Sequence, residues 1–268
     1  MALIHTHIHS GVLGMDVTVE VILPQKASKL IGMESAAGEG KFPVLWLLHG
    51  ASDDETIWQR RTSIERYAAP LGLAVVMPAV QLSSYADMAH GGKYYTYVSK
   101  ELPELMGNLF PISDKREDNF IAGLSMGGAG CMKIGLANPD KYAAIGCLSN
   151  GMVSGYMKPD PDPRFAKRRL MVVGDRDLTG TEEDPEYNAR RILAENLPRP
   201  RIYHAWGEDD FLRDNCRKTR DFFTAMEGNP FDYVWEEHPG AHTWEFWDEH
   251  IQHFLKYVGL AAKSDIRN

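Results

Sequence analysis

One serine, one histidine and a short acidic cluster are spaced along this chain as nucleophilic attack on a carbonyl would need them. Ser125 lies in Gly123-Leu-Ser-Met-Gly127, a G-x-S-x-G pattern that arises by chance in roughly one chain of ten at this length. Its neighbourhood raises its weight. An apolar run leads directly into it and a helical pattern leads directly out, which is the strand–turn–helix of a nucleophile elbow. In so tight a turn the flanking backbones come close, and glycine at 123 and 127 removes the Cβ atoms that would collide.

A neutral serine hydroxyl is a weak nucleophile and needs a base, itself oriented by a third group. In a fold with such an elbow the chain order is nucleophile, acid, histidine. Four histidines fall late enough: His238, His242, His250 and His253. His238 is too near its strand, and His250 and His253 fall on the terminal helix. His242, in Pro239-Gly-Ala-His-Thr-Trp, is placed by a loop over the strand ends and is the expected base. The acid should follow the preceding strand, where Trp206-Gly-Glu-Asp-Asp-Phe-Leu offers Glu208, Asp209 and Asp210. Asp210 is favoured, with Asp209 the runner-up. Asp175 and Asp177 belong to a different segment and rank lower.

Attack also creates an oxyanion that needs pre-placed amide donors. The amide of Met126, at a helix start, supplies one. The other is expected from Leu47-Leu-His49-Gly50-Ala51, from Ala51 with Gly50 the alternative, while His49 buttresses the loop. Trp58, Phe211 and Trp244 flank these loops and are candidate walls of a substrate pocket.

Short β-rich apolar runs alternating with longer helical stretches predict one α/β domain over residues 1–268, with a mostly parallel central sheet and helices on both faces. Residues 5–9 and 17–23 read as an antiparallel hairpin. Core strands are expected at 44–48, 73–77, 119–122, 143–148, 201–204 and 231–236, each covered on both faces. Helices are expected at 56–69, 94–109 (irregular at Pro103), 126–137, 214–227 and 244–258. After the sixth strand, residues 150–190 break the rhythm with Pro159, Pro161 and Pro163, a short apolar run at 170–173 and acidic Glu182, Glu183 and Asp184. An irregular insertion of this length is expected to serve as a binding loop or lid.

Composition narrows the classes. Of 268 residues 44% are hydrophobic and 25% charged, and the net charge of −8 argues against a nucleic-acid partner. No run of 18 apolar residues could span a membrane, and the first residues lack a secretory pattern. Three cysteines, Cys131, Cys147 and Cys216, are too few and odd for a disulfide framework, and all are expected to be structural thiols in a cytoplasmic protein. No linear spacing suggests a metal site, and there is no phosphate loop, so no cofactor is expected. His5, His7 and His9 alternate as solvated edge-strand residues, and Tyr94, Tyr95 and Tyr97 as one amphipathic helix.

Several motifs together resemble the tributyrin-esterase and feruloyl/acetyl-esterase group, related to S-formylglutathione hydrolase and esterase D. They are Val12-Leu-Gly-Met-Asp-Val with Val21-Ile-Leu-Pro-Gln, His49-Gly-Ala-Ser-Asp-Asp-Glu-Thr-Ile-Trp58, Gly123-Leu-Ser-Met-Gly-Gly, Gly207-Glu-Asp-Asp-Phe-Leu and Pro239-Gly-Ala-His-Thr-Trp-Glu-Phe-Trp. The likeness extends along nearly the whole chain, and Gly180-Thr-Glu-Glu-Asp-Pro also looks family-like. The resemblance implies a carboxylesterase for short acyl, acetyl or feruloyl esters, acting through an acyl-enzyme, and it favours Asp210 over Asp209. It also implies a homo-oligomer. The His49-Gly50 pair differs from the oxyanion loop usual in S-formylglutathione hydrolases, so thioesterase or acyltransferase activity is the alternative expectation.

Overall fold

The computed structural model describes residues 1–25, 40–152 and 163–260. Among these residues eight strands form one sheet, in the order β1-β2-β4-β3-β5-β6-β7-β8. β1 (Ala2–Ser10) and β2 (Met15–Leu23) make the expected antiparallel hairpin, and β2 runs antiparallel to β4 (Ala74–Pro78). From there β3 (Val44–Leu48), β5 (Asn119–Leu124), β6 (Ala144–Leu148), β7 (Arg201–Gly207) and β8 (Val234–His238) are parallel. The side-chain period of two explains the unbroken apolar runs. In β3, Val44, Trp46 and Leu48 enter the core on one face, and Leu45 and Leu47 enter the core on the other. Helices cover both faces, so neither alternate set meets water.

β8 differs from expectation. It starts later than residue 231, and Val234 and Trp235 are partly exposed, at 38% and 42%. As an edge strand it pairs on one side only, and its Glu236-Glu237-His238 end suits an uncovered rim.

The expected helix at 56–69 is divided into α1 (Ile57–Arg61) and α2 (Ile64–Ala68). The Thr62 hydroxyl bonds the Trp58 carbonyl and accepts from the Ile64 amide (3.2 Å), while the Ser63 amide donates to Asp248 (3.3 Å), so local side-chain bonds replace the helix ladder here. The run at 94–109 begins as α3 (Tyr94–Thr96), widens into a π turn over Tyr97–Glu101, and continues as α4 (Leu102–Leu109). Pro103 causes the widening, since its ring crowds the carbonyl four residues back, that of Ser99. That carbonyl is instead taken by the Lys141 ammonium at 2.8 Å.

α5 (Met126–Ala137), α8 (Arg213–Thr224) and α9 (Trp244–Val258) lie at or near their predicted positions. The segment after β6 is more regular than the sequence suggests. Pro159 and Pro161 lie outside the described residues, but Pro163 opens α6 (Pro163–Val172), and α7 (Pro185–Ala194) packs on α5. The start of α7 is a capping unit, in which the Asp184 carboxylate accepts from the Tyr187 amide and Pro185 occupies the first turn.

Lys133 fastens this segment to α5. Its ammonium meets the Glu183 carboxylate at 3.2 Å and the Ser84 carbonyl at 3.2 Å, with both charged side chains almost wholly buried. Removing one member leaves a buried charge unpaired. Glu183→Ala is therefore expected to lower unfolding free energy by about 3 kcal/mol, and Lys133→Met combined with Glu183→Leu to recover most of it. Urea titrations of the three proteins check this.

Candidate active site

The parallel register brings four loops to one rim. Ser125 follows β5, Asp210 follows β7, His242 follows β8, and Gly50-Ala51 follows β3, each beyond a C-terminal strand end. β3 lies beside β5 and β7 beside β8, so the oxyanion-type loop faces the serine and the acid faces the histidine.

Ser125 has φ 51° and ψ −116°, a conformation unfavourable for any residue with a Cβ. Two features hold it there. Its amide donates to the Leu148 carbonyl at 2.8 Å, and its own carbonyl accepts from the Asn150 side-chain amide at 2.9 Å. The glycines around it are obligatory by close approach: a Cβ on Gly123 would stand 2.5 Å from the Gly127 carbonyl oxygen, and one on Gly127 would strike the Leu48 and His49 carbonyls.

His242 Nε2 accepts from the Ser125 hydroxyl at 2.9 Å, and its Nδ1–H donates to both Asp210 oxygens at 3.0 Å. Asp210 is buried, while Glu208 and Asp209 are exposed. Asp175 and Asp177 are also exposed. Burial pushes the Asp210 carboxyl upward, but bonds from His242, Ser149 and the Leu212 amide (2.8 Å) outweigh it and hold the acid below the ordinary carboxylate range.

Ser149 and Asn150 escaped sequence reasoning. They directly follow β6, the strand between the nucleophile and the acid, and both are buried. Ser149 takes the Trp247 indole N–H at 2.8 Å and bonds Asp210, and Asn150 receives the Asn215 amide at 2.8 Å. Their signal was a polar pair closing an apolar strand on the rim that carries the other loops.

The loop after β3 is fixed at each atom that could turn. Tyr85 hydroxyl donates to the His49 carbonyl at 3.0 Å, and Trp58 indole donates to the Leu48 carbonyl at 3.1 Å. His49 Nδ1–H donates to the Gly50 carbonyl at 2.7 Å, and its Nε2 accepts from the Val80 amide at 3.1 Å. The imidazole must therefore be neutral, and burial pushes its pKa below the ordinary 6.5. The unfolded chain takes up a proton below pH 6.5 that the folded chain resists, so this contribution to stability is complete above 6.5 and declines below it. His49→Ala is expected to cut kcat about 10- to 100-fold with KM little changed, because it loosens the loop expected to supply an oxyanion donor. Steady-state kinetics on a short-chain ester checks it.

Gly50 and Ala51 both line the cleft with Ser125, and a Cβ on Gly50 would stand 3.7 Å from the Ser125 Cβ. Met126 is the first residue of α5, where backbone amides lack intrahelical acceptors. These surfaces open on a cleft of about 480 Å³ lined by Gly50, Ala51, Ser125, His242, Trp244 and Trp247.

The aromatic candidates divide. Phe211 is exposed, with its ring 4.3 Å from that of His242, and Trp244 lines the cleft. Trp58 does not line it. It is fully buried behind the loop and meets Trp244 edge to face at 5.3 Å, so it supports a wall instead of forming one. Trp244 meets Trp247, and Trp247 meets His242, in the same perpendicular way.

Other candidates lie elsewhere. Cys131, Cys147 and Cys216 are buried free thiols, and burial pushes Cys147 and Cys216 well up, away from the reactive thiolate. His5 and His9 project from the edge strand β1 and pair with Glu20 and Asp16. Tyr94, Tyr95 and Tyr97 are buried on the covered side of their helix. Among the described residues, no helix is long and apolar enough to cross a membrane.

A mostly parallel sheet that delivers a serine on a strained elbow to a histidine–aspartate pair is the architecture of an α/β-type serine hydrolase. The Esterase family model matches residues 10–257, and the chain belongs to that family of carboxylic-ester hydrolases. An acetyl esterase of Caldicellulosiruptor saccharolyticus is 30% identical over 98% of this chain and 100% of its own length. Among solved structures, FphF, a fluorophosphonate-binding serine hydrolase of Staphylococcus aureus, is 36% identical with TM-score 0.83, covering 96% of this chain and 98% of that one. An S-formylglutathione hydrolase (FrmB) of the same organism is 35% identical with TM-score 0.79 over the same shares.

Proposed function

We propose that the protein hydrolyses small-molecule esters of short acyl chains through an acyl-enzyme on Ser125. The observation that carries this reading is the continuous line from Asp210 through His242 to the Ser125 hydroxyl, with Nε2 2.9 Å from Oγ at the floor of the cleft. His242 takes the serine proton as Oγ adds to the carbonyl, and Asp210 holds the tautomer and balances the imidazolium. The amides of Met126 and Ala51 receive the oxyanion. The imidazolium then gives its proton to the departing alcohol, and water repeats the sequence on the acyl-enzyme.

Phe211 and Trp244 border the substrate at the mouth and wall. The insertion after β6 belongs to a single domain, and its described part from residue 163 covers one side of the site, a role supported by the contact of Arg168 on α6 with the Met126 sulfur. Acetyl, butyryl and feruloyl esters, including those on plant polysaccharide fragments, are the expected substrates. Buried reduced thiols suit a cytoplasmic setting.

Resemblance to FrmB supports a second reading, a thioesterase acting on S-formylglutathione, through the same residues. A panel of p-nitrophenyl esters of graded acyl length, methyl ferulate, acetylated xylan and S-formylglutathione separates them. The ester reading expects the highest kcat/KM for a short acyl ester, and a hundredfold preference for S-formylglutathione would replace it.

A further inference from the structure

Three histidines and a glutamate that play no part in the catalytic line converge where the edge strand β8 meets α9. Glu236 and His238 are two apart on β8, and His250 and His253 are three apart on α9, so each pair shares one face of its element. The Nδ1 atoms of His253 and His250 lie 2.8 Å and 3.2 Å from the same Glu236 carboxylate oxygen. The three ligand atoms all lie within 4.8 Å of one another, and His238 Nδ1 stands 4.0 Å from that oxygen. Tyr203 supports the group from β7, its hydroxyl 2.8 Å from Glu236 and 3.0 Å from His250 Nδ1. No linear motif announces this set, because its members come from a strand and a helix joined by the His242 loop.

We propose that Glu236, His250 and His253, with His238 swinging in as a fourth ligand, form a binding site for a divalent transition-metal ion of the zinc type. Tetrahedral zinc with bonds of about 2.0–2.1 Å places its ligand atoms about 3.3 Å apart, and the observed separations reach that by sub-ångström to ångström shifts of side chains. Imidazole and carboxylate are ligand types zinc prefers. His250 is almost fully buried, which favours the neutral ring that a metal needs. The Tyr203 hydroxyl meets the same Glu236 oxygen and His250 Nδ1, so it must give up the bond to Nδ1 and turn outward as the ion enters. His253 and His238 are partly open to solvent, which gives the ion a path in. The ion would tie together the two elements that bracket residues 239–243 and so brace the loop carrying His242.

The test uses full-length protein stripped with a chelator and titrated with Zn²⁺ against a chromophoric competitor, then with Co²⁺ by visible absorption. Expected are one tight equivalent, the ligand-field bands of four-coordinate Co²⁺, and a rise in Tm on Zn²⁺ addition. His253→Ala, at a half-buried position, should weaken Zn²⁺ at least tenfold and abolish the Tm rise. His238→Ala, more exposed still, should weaken it severalfold. The paired change His5→Ala with His9→Ala should leave affinity unaltered, since the β1 histidines are the competing surface chelator. The proposal is overturned if no equivalent binds at micromolar Zn²⁺. It is equally overturned if binding survives both His253→Ala and His238→Ala, or is lost with the β1 pair.

Discussion

Replacing Ser125 by alanine is expected to lower kcat for p-nitrophenyl acetate by about 10⁵- to 10⁶-fold, the cost of removing a nucleophile whose partners work only with it. Because the side chain is small and the turn is held by Asn150 and Leu148 through backbone atoms, the fold should survive. Ser125→Gly sharpens the test. Alanine keeps the Cβ in a conformation at φ 51°, whereas glycine releases that strain at a smaller entropic cost. The glycine variant should be as inactive as the alanine variant yet more stable by about 1 kcal/mol, or roughly 2–4 °C in Tm. Calorimetry beside kinetics checks both. Activity within tenfold of wild type in either variant would remove Ser125 from the mechanism.

Asp210→Asn is expected to lower kcat by about 10⁴-fold while KM changes little, since an amide cannot hold the His242 tautomer or balance its charge. Asp209→Asn should stay within about twofold, because that side chain is exposed and Asp210 alone meets His242. The pair of variants distinguishes an oriented acid from a merely acidic turn. The acid dependence follows from the sign of the shift. The Asp210 pKa is lower folded than unfolded, so its stabilisation is present above the ordinary 3.8 and is lost only as pH falls through the lower folded value. Loss of wild-type activity above pH 4 should therefore not trace to Asp210. A pH–rate profile whose acid limb moved in Asp209→Asn would contradict the assignment.

The sequence was most legible where function and local geometry demand the same residues. The elbow glycines, His242 in its loop and the hairpin could each be placed from a few neighbours, and α9 spans the predicted residues, its end set by Gly259 in the left-handed cap at φ 74°. Asp210 stood out from Asp209 by family likeness, whereas in three dimensions burial separates them at once. What stayed hidden depends on partners distant in the chain. The break between α1 and α2 is made by Asp248, the burial of Trp58 by a carbonyl of β3, and the bridging by Ser149 by an indole on α9. The helices after β6 were missed because prolines and acids masked them, although Asp184-Pro185 was a readable helix start. The exposure of β8 reflects strand order, which its aromatic residues alone do not reveal.

The placement of β6 between nucleophile and acid has a kinetic consequence. Ser125 and His242 are 117 residues apart, and the rim that joins them exists only after β5, β6, β7 and β8 have paired in parallel, each across a long connection. Pairings of this kind close late and slowly in folding, since chain entropy must be surrendered before the contacts form. The chain can thus gain its helices and collapse its core while the serine remains an ordinary alcohol. Reactivity toward carbonyls is withheld from any form in which β5 to β8 have not all paired.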